Sequence, residues 1–211
     1  MELKTQAEEI IQKLRATCLP VFQGMAQAKK LGSGIPALDR FFAGGLPFGR
    51  LIELGIPLDK GGRFCLIPFM SQAIRENHWC LWAYSQTEIK AFAPAFLSRG
   101  AQSERMLFAQ SVTPIQDLKQ LLLHPLVQVV VFDSPPRLQR DDLSFLSVQA
   151  RQQGKLFLLI RPYFLSNKLG NIWAHWRVNI WFRPKSDQFV VRPVRGLGTV
   201  DLTLEAACLT G

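Results

Sequence analysis

Glycines and cations concentrate in one short stretch, GIPLDKGGRF at residues 55–64, directly after an apolar run. A glycine-rich turn between a strand and a helix points backbone N–H groups at phosphates. In a working phosphate loop a Lys then reaches the outer phosphates, and a Ser/Thr hydroxyl holds magnesium. No Gly-Lys-Ser/Thr triplet occurs in the chain, and an Arg has no acceptor atom with which to ligate a metal. We interpret the stretch as a vestigial phosphate loop, with these candidate residues: Gly55, Pro57, Lys60, Gly61, Gly62 and Arg63.

Two interpretations of this loop remain open. We favour a plain strand-to-helix turn, and the alternative is residual phosphate binding by Lys60 or Arg63. A second vestigial element is Asp133, which ends the apolar run VQVVVFD and in this resembles the magnesium-associated Asp of phosphate-loop proteins. Without a Ser/Thr partner its expected role is to close the strand and cap a turn. We therefore predict no nucleotide cofactor, no metal and no catalytic residue.

Aromatic and basic residues cluster near the end of the chain. In RVNIWFR (177–183), strand-like alternation places the apolar side chains on one face and Arg177, Trp181 and Arg183 on the other. Aromatic rings stack on unpaired bases, and Arg neutralises phosphate. The predicted nucleic-acid or partner contacts are Arg177, Trp181, Arg183, Arg192 and Arg195. The alternative is that a helix covers this face and Trp181 belongs to the core.

Other residue types give no sign of a reaction. The four cysteines form no CxxC pair, the three histidines form no HxxxH pair, and no GxSxG elbow occurs. The N-terminus lacks a signal-peptide core, and no apolar run reaches the roughly 18–20 residues of a membrane span. We expect a soluble, cytoplasmic protein.

Hydrophobic periodicity predicts an α/β fold. An amphipathic pattern at residues 3–16 indicates a helix within an N-terminal extension, residues 1–30, and residues 31–211 form the core domain. In the core, apolar strands alternating with helices favour a mostly parallel sheet flanked by helices, followed by a C-terminal antiparallel hairpin. The predicted strands are 51–54, 64–69, 79–85, 105–109, 127–133, 155–162, 177–183 and 189–195. The predicted helices of the core start near Ser33 and run through SQAIREN, 91–99, 114–123 and 141–153.

Charge is distributed unevenly over the 211 residues. The chain carries a net charge of +9, and residues 137–195 hold 11 basic side chains against three acidic ones. A basic balance of this kind favours an anionic partner, with nucleic acid the first candidate. The alternative is that many of these cations are simply solvated.

The segment LGSGIPALDRFFAGGLPFGRLIEL resembles the approach to the phosphate loop in RecA-type recombinases. The matching residues are Ser33, Gly34, Leu38, Asp39, Gly44, Gly45, Leu46, Pro47, Gly49, Arg50 and Glu53. The resemblance covers roughly residues 31–195 and implies a RecA-like core. Aligned from Glu53 and Pro57, the family's invariant Gly falls on Gly61, its Lys on Gly62 and its Ser/Thr on Arg63.

Two further departures concern catalysis and DNA. Ile89 stands at the family's catalytic Glu, with Glu88 beside it, and Arg161 stands at its nucleotide-sensing Asn or Gln. The DNA-binding loops also look shortened. The resemblance therefore implies a pseudo-ATPase rather than a recombinase.

Within this superfamily the chain resembles ImuA, the accessory subunit of a bacterial translesion mutasome. That resemblance implies a non-catalytic scaffold of the DNA-damage (SOS) response. The implied partners are a polymerase-like subunit of the ImuB type and a replicative-type polymerase. RecA and single-stranded DNA are further candidate partners, and we expect a monomer or dimer rather than a filament. Two alternatives are a SulA-like division inhibitor that binds FtsZ and an ATPase with an atypical phosphate loop.

Overall fold

A computed structural model describes residues 29–85 and 103–210. The strands are β1 (Lys30–Leu31), β2 (Leu46–Pro47), β3 (Arg50–Gly55), β4 (Trp79–Tyr84), β5 (Met106–Gln110), β6 (Val127–Asp133), β7 (Leu156–Arg161), β8 (Trp176–Arg183), β9 (Gln188–Arg195) and β10 (Leu202–Glu205). The helices are α1 (Pro36–Phe41), α2 (Ile67–Arg75), α3 (Pro114–Asp117), α4 (Lys119–Leu123), α5 (Arg140–Gln153) and α6 (Ala207–Thr210).

Eight strands form one mixed sheet in the order β10-β9-β8-β3-β7-β6-β4-β5. The pairs from β8 through β5 are parallel, whereas β8–β9 and β9–β10 are antiparallel. β3 lies between β7 and β8, so the turn that follows β3 is near the carboxyl ends of both neighbours. Ligands of open parallel sheets bind at such ends.

Each face of the sheet carries its own hydrophobic core. On one face α1 and α2 pack against the even-numbered positions of β3, represented by Ile52 and Leu54. On the other face α3, α4 and α5 pack against Leu51 and the central strands. Because both faces of β6 and β7 are covered, these strands are apolar along most of their length.

The predicted α/β class is confirmed, with a mostly parallel sheet flanked by helices and a C-terminal antiparallel hairpin. The strongest strand prediction, 127–133, coincides with β6. The hairpin prediction corresponds to β8 and β9. The short helix after Ser33 also forms. Ile35 is at its N-cap position, and the Ser33 hydroxyl instead donates to the Asp39 carboxylate at 2.7 Å.

Two predicted elements are wrong. The run FCLIPF at 64–69 is not a strand: a 3-10 turn at Gly62–Leu66 leads directly into α2. The run is apolar because one end of α2 is buried, and a short buried helix has the same apolar signature as a strand. The single helix at 114–123 is two short helices, α3 and α4. The helices predicted at 3–16 and 91–99 lie outside the described residues, and the boundary at residue 30 stays a prediction.

Candidate functional site: a closed phosphate-loop position and a basic aromatic groove

The turn after β3 is tightly packed where the resemblance aligns the phosphate-binding Lys. Gly61 adopts a left-handed conformation, with φ 62°. A Cβ atom on Gly62 would lie 2.4 Å from the carbonyl oxygen of Ile180 and 2.9 Å from Cγ2 of Ile56. Strand β8 therefore occupies the space that a side chain at position 62 would need.

Arg63, at the aligned Ser/Thr position, binds Asp133. Its Nε lies 2.9 Å from Oδ2, and its Nη2 lies 2.8 Å from Oδ1. Nη2 also donates to the Ser134 hydroxyl at 3.0 Å. The side chain of Asp133 is fully buried and that of Arg63 is 17% exposed. A two-pronged guanidinium–carboxylate contact of this kind is strong and geometrically specific.

The Asp133 carboxylate has further donors. Trp82 Nε1 donates to Oδ2 at 3.3 Å, and the Ser134 hydroxyl donates to Oδ1 at 3.0 Å. Ser134 itself has a positive φ of 53°, which turns the chain sharply after β6. Asp133 ends β6 as expected, and its turn-capping role stays a prediction. Sequence reasoning missed the ion pair with Arg63. An Arg aligned with the magnesium-binding hydroxyl, together with a retained Asp, was the signal that could have predicted it.

Lys60 lies outside this cluster. Its ammonium group pairs with Asp59 at 3.0 Å, and 46% of its side chain is exposed. The hydrogen bond from Lys60 lowers the pKa of Asp59. Of the two cations in the loop, the structure brings only Arg63 to Asp133.

A second buried ion pair holds the loop that follows β7. Glu53 is fully buried, and Arg161 donates from Nε to its Oε1 at 2.8 Å. The backbone N–H of Asn171 donates to the other oxygen of Glu53. Arg161 thus forms a structural ion pair with the Glu that matches the family motif.

Arg177 was predicted as a contact residue, but its side chain does not face solvent. It is 5% exposed, and its Nη1 donates to the carbonyl oxygen of Ser166 at 2.9 Å. A Cβ on Gly170 would lie 2.8 Å from Cδ of Arg177, so the loop packs directly over this guanidinium group. The prediction of Arg177 as an accessible contact residue is wrong, because a loop covers that part of the β8 face.

The remaining predicted contacts divide into two groups. Trp181, Arg183 and Arg192 line one groove with a volume of about 970 Å³. Both guanidinium groups lie against the Trp181 ring, with Cζ 5.6 Å from its centroid for Arg183 and 5.1 Å for Arg192. Arg195 lies elsewhere and donates to the carbonyl oxygen of Ile172. Trp181 is half-buried rather than part of the core.

Two cysteines and His78 have shifted pKa values. Burial raises the pKa of the Cys65 and Cys80 thiols. Burial and the neighbouring Lys29 charge lower the pKa of His78 to about 4. Within residues 29–85 and 103–210 no group of three or more His, Cys, Asp or Glu side chains could hold a metal ion. No helix in those ranges is long and apolar enough to cross a membrane.

No protein-family model matches this chain, and no curated protein matches it.

Proposed function

We propose that this chain is a non-catalytic, RecA-like accessory protein of the bacterial DNA-damage response that acts as an interaction scaffold in translesion synthesis. The observation that carries the proposal is the pairing of Arg63 with Asp133. A phosphate loop works by combining a Lys on the phosphates with a magnesium ion held between a hydroxyl and a carboxylate. Here a guanidinium group occupies the position beside the carboxylate.

Two further observations support a scaffold over an enzyme. The packing of Gly62 against Ile180 excludes a side chain at the aligned Lys position. In the same turn, Leu58 and Phe64 present 44% and 52% of their surface to solvent. Exposed large apolar side chains suit contact with another protein. The implied partners are a polymerase-like subunit of the ImuB type and RecA.

The proposal predicts partner binding that is independent of nucleotide. The purified chain and a purified ImuB-type subunit should form a complex on size-exclusion chromatography without ATP. Addition of ATP and magnesium should leave the complex unchanged. Absence of a complex with the ImuB-type subunit and with RecA, or a strict requirement for ATP, would overturn the proposal. The chain alone should sediment as a monomer or dimer, and long filaments would contradict the account.

Two rival functions have direct assays. An ATPase with an atypical loop would show DNA-stimulated hydrolysis that Lys60→Ala abolishes. A SulA-like inhibitor would suppress polymerisation of purified FtsZ and cause filamentous cells on overexpression. The exposed position of Lys60, paired with Asp59, favours neither phosphate binding nor catalysis at that residue.

A further inference from the structure

The face of β8 and β9 that no helix of residues 29–85 and 103–210 covers forms a preorganised groove. Asn179 on β8 fixes one wall, because its Oδ1 accepts from the Leu165 N–H at 2.7 Å and its Nδ2 donates to the Leu165 carbonyl oxygen at 2.9 Å. A Cβ at Gly55 would collide with Oδ1 of Asn179, so the neighbouring strand β3 allows this contact only with glycine at position 55. The wall from Phe164 to Asn167 is thus held on the sheet before any ligand arrives.

The groove is basic. Of the described residues that line it, none carries a carboxylate and four are cations: Lys60, Arg183, Lys185 and Arg192. Two of these cations pair with carboxylates that do not line the groove: Lys60 with Asp59 at 3.0 Å, and Arg192 with Asp201, with Nη2–Oδ2 at 2.7 Å. Lys185 and Arg183 have no ion-pair partner within the ranges 29–85 and 103–210. The field inside the groove therefore selects an anion.

Aromatic surface lies among these cations. The rings of Trp181 and Phe164 meet edge to face with centroids 5.4 Å apart, and Phe164 is 45% exposed. The exposed guanidinium groups of Arg183 and Arg192 lie against the indole. An unpaired base can displace them, because base–aromatic stacking is stronger than an exposed cation–π contact. The displaced Arg side chains then remain within reach of the flanking phosphates.

We infer that this groove binds single-stranded nucleic acid, with a base stacked on Trp181 and the backbone phosphates on Arg183, Lys185 and Arg192. Alternating cations and stacking platforms are the combination that proteins use for unpaired strands. A duplex offers the same phosphates but no free base faces. The volume of about 970 Å³ lies near the upper end of the range for ligand sites, so it accommodates more than a single small anion.

This inference deepens the proposed function, because it gives the scaffold a nucleic-acid ligand, but it does not depend on the Arg63–Asp133 pair. A failure to bind nucleic acid would leave the nucleotide-independent complex with the partner subunit intact. A failure of that complex would in turn leave the groove binding measurable on the isolated chain.

The test is fluorescence anisotropy of a labelled 20-nucleotide oligo(dT) with the full chain at several salt concentrations. Trp181→Ala should weaken binding about tenfold, consistent with the loss of one stacked base. Trp181→Phe, which keeps a ring, should retain most of the affinity. Each of Arg183→Ala and Lys185→Ala should reduce the magnitude of the salt slope by about 0.7, the value for one phosphate on a single strand. Thermal melts of every variant establish that the fold is retained.

Two matched variants sharpen the result. Lys119→Ala/Arg151→Ala removes two exposed cations on α4 and α5 and should leave the salt slope unchanged. Asp201→Asn releases Arg192 and should tighten binding about two- to fivefold, the value of an exposed ion pair. Oligo(U) and oligo(dT) share the proposed chemistry, and binding of either supports it.

Three results would overturn the inference. The first is no binding of any single strand by the wild-type chain. The second is equal affinity for a 20-base-pair duplex together with an unchanged affinity in Trp181→Ala. The third is displacement of the oligonucleotide by polyglutamate at equal charge concentration, which would assign the groove to an acidic protein segment.

Discussion

Replacing Arg63 by Met should lower the free energy of unfolding by about 3 kcal/mol, because it leaves the buried Asp133 carboxylate without its counter-charge. Breaking a buried ion pair by removing one partner typically costs about 3–5 kcal/mol. The lower end applies here, since Trp82 and Ser134 still donate to the carboxylate and the 17% exposure of Arg63 lets water approach.

A double-mutant cycle isolates the pair from other effects. Asp133→Asn keeps an acceptor for Trp82 but leaves Arg63 without an opposite charge. The double variant Arg63→Met/Asp133→Asn should cost little more than the worse single variant, which gives a coupling energy of about 2 kcal/mol. Chemical denaturation measures all four free energies. A thermal melt should place Arg63→Met about 6–12 °C below wild type, from about 2–4 °C per kcal/mol at this chain length.

The chain contains a matched control. Arg192 and Asp201 also form a two-pronged contact, with Nη2–Oδ2 at 2.7 Å, but their side chains are 51% and 33% exposed. The same cycle with Arg192→Met and Asp201→Asn should give a coupling of about 1 kcal/mol or less. If both cycles give equal couplings below about 1 kcal/mol, the pairing of Arg63 with Asp133 does not stabilise the loop and the reasoning fails.

Three other changes test neighbouring features. Gly62→Lys restores the aligned Lys but places a Cβ against the Ile180 carbonyl oxygen. The variant should lose about 1–3 kcal/mol of stability and show no ATP binding by calorimetry. A stable variant that binds ATP would show that β8 can move aside. Arg177→Ala should lower the free energy of unfolding in urea by about 1–3 kcal/mol, because Arg177 is buried under the loop. Arg195→Ala should change it by about 0.5 kcal/mol or less, and equal effects of the two variants would contradict the structural role of Arg177. Burial lowers the pKa of Lys155 from 10.5 to about 7. Between pH 7 and pH 10.5 the unfolded chain therefore binds more protons at Lys155 than the folded chain does, and the free energy of unfolding rises with pH. Relative to Lys155→Met, the free energy of unfolding of the wild type should rise by up to about 1.4 kcal/mol per pH unit over that window, and parallel pH profiles would show that Lys155 titrates normally.

Periodicity predicted the central strands well, because β6 and β7 are buried on both faces and their sequences are continuous apolar runs. The same signal failed at FCLIPF. Its buried residues, from Cys65 to Phe69, belong to the 3-10 turn and to the start of α2, which begins at Ile67 with Pro68 in its first turn. A proline near the start of a helix is favourable, and this cue was stronger evidence for a helix than the apolar run was for a strand.

The groove was only partly predictable. Strand alternation correctly placed Trp181 and Arg183 on the same face, and the structure brings the predicted Arg192 beside them from the paired strand. Alternation could not show that a loop packs over Arg177, because that depends on Gly170 and on the contact with Ser166. The pairing of Arg63 with Asp133 joins residues 70 positions apart, a distance at which sequence periodicity carries no information about contact.

Calorimetric titration of the purified chain with ATP and magnesium, with and without single-stranded DNA, tests the central claim most directly. With Arg63 beside Asp133 and no room for a side chain at Gly62, we expect no saturable heat at high protein concentration under either condition. Saturable binding of ATP and magnesium, lost in Lys60→Ala, would contradict the account and make the chain a nucleotide-binding protein with a phosphate loop of a different design.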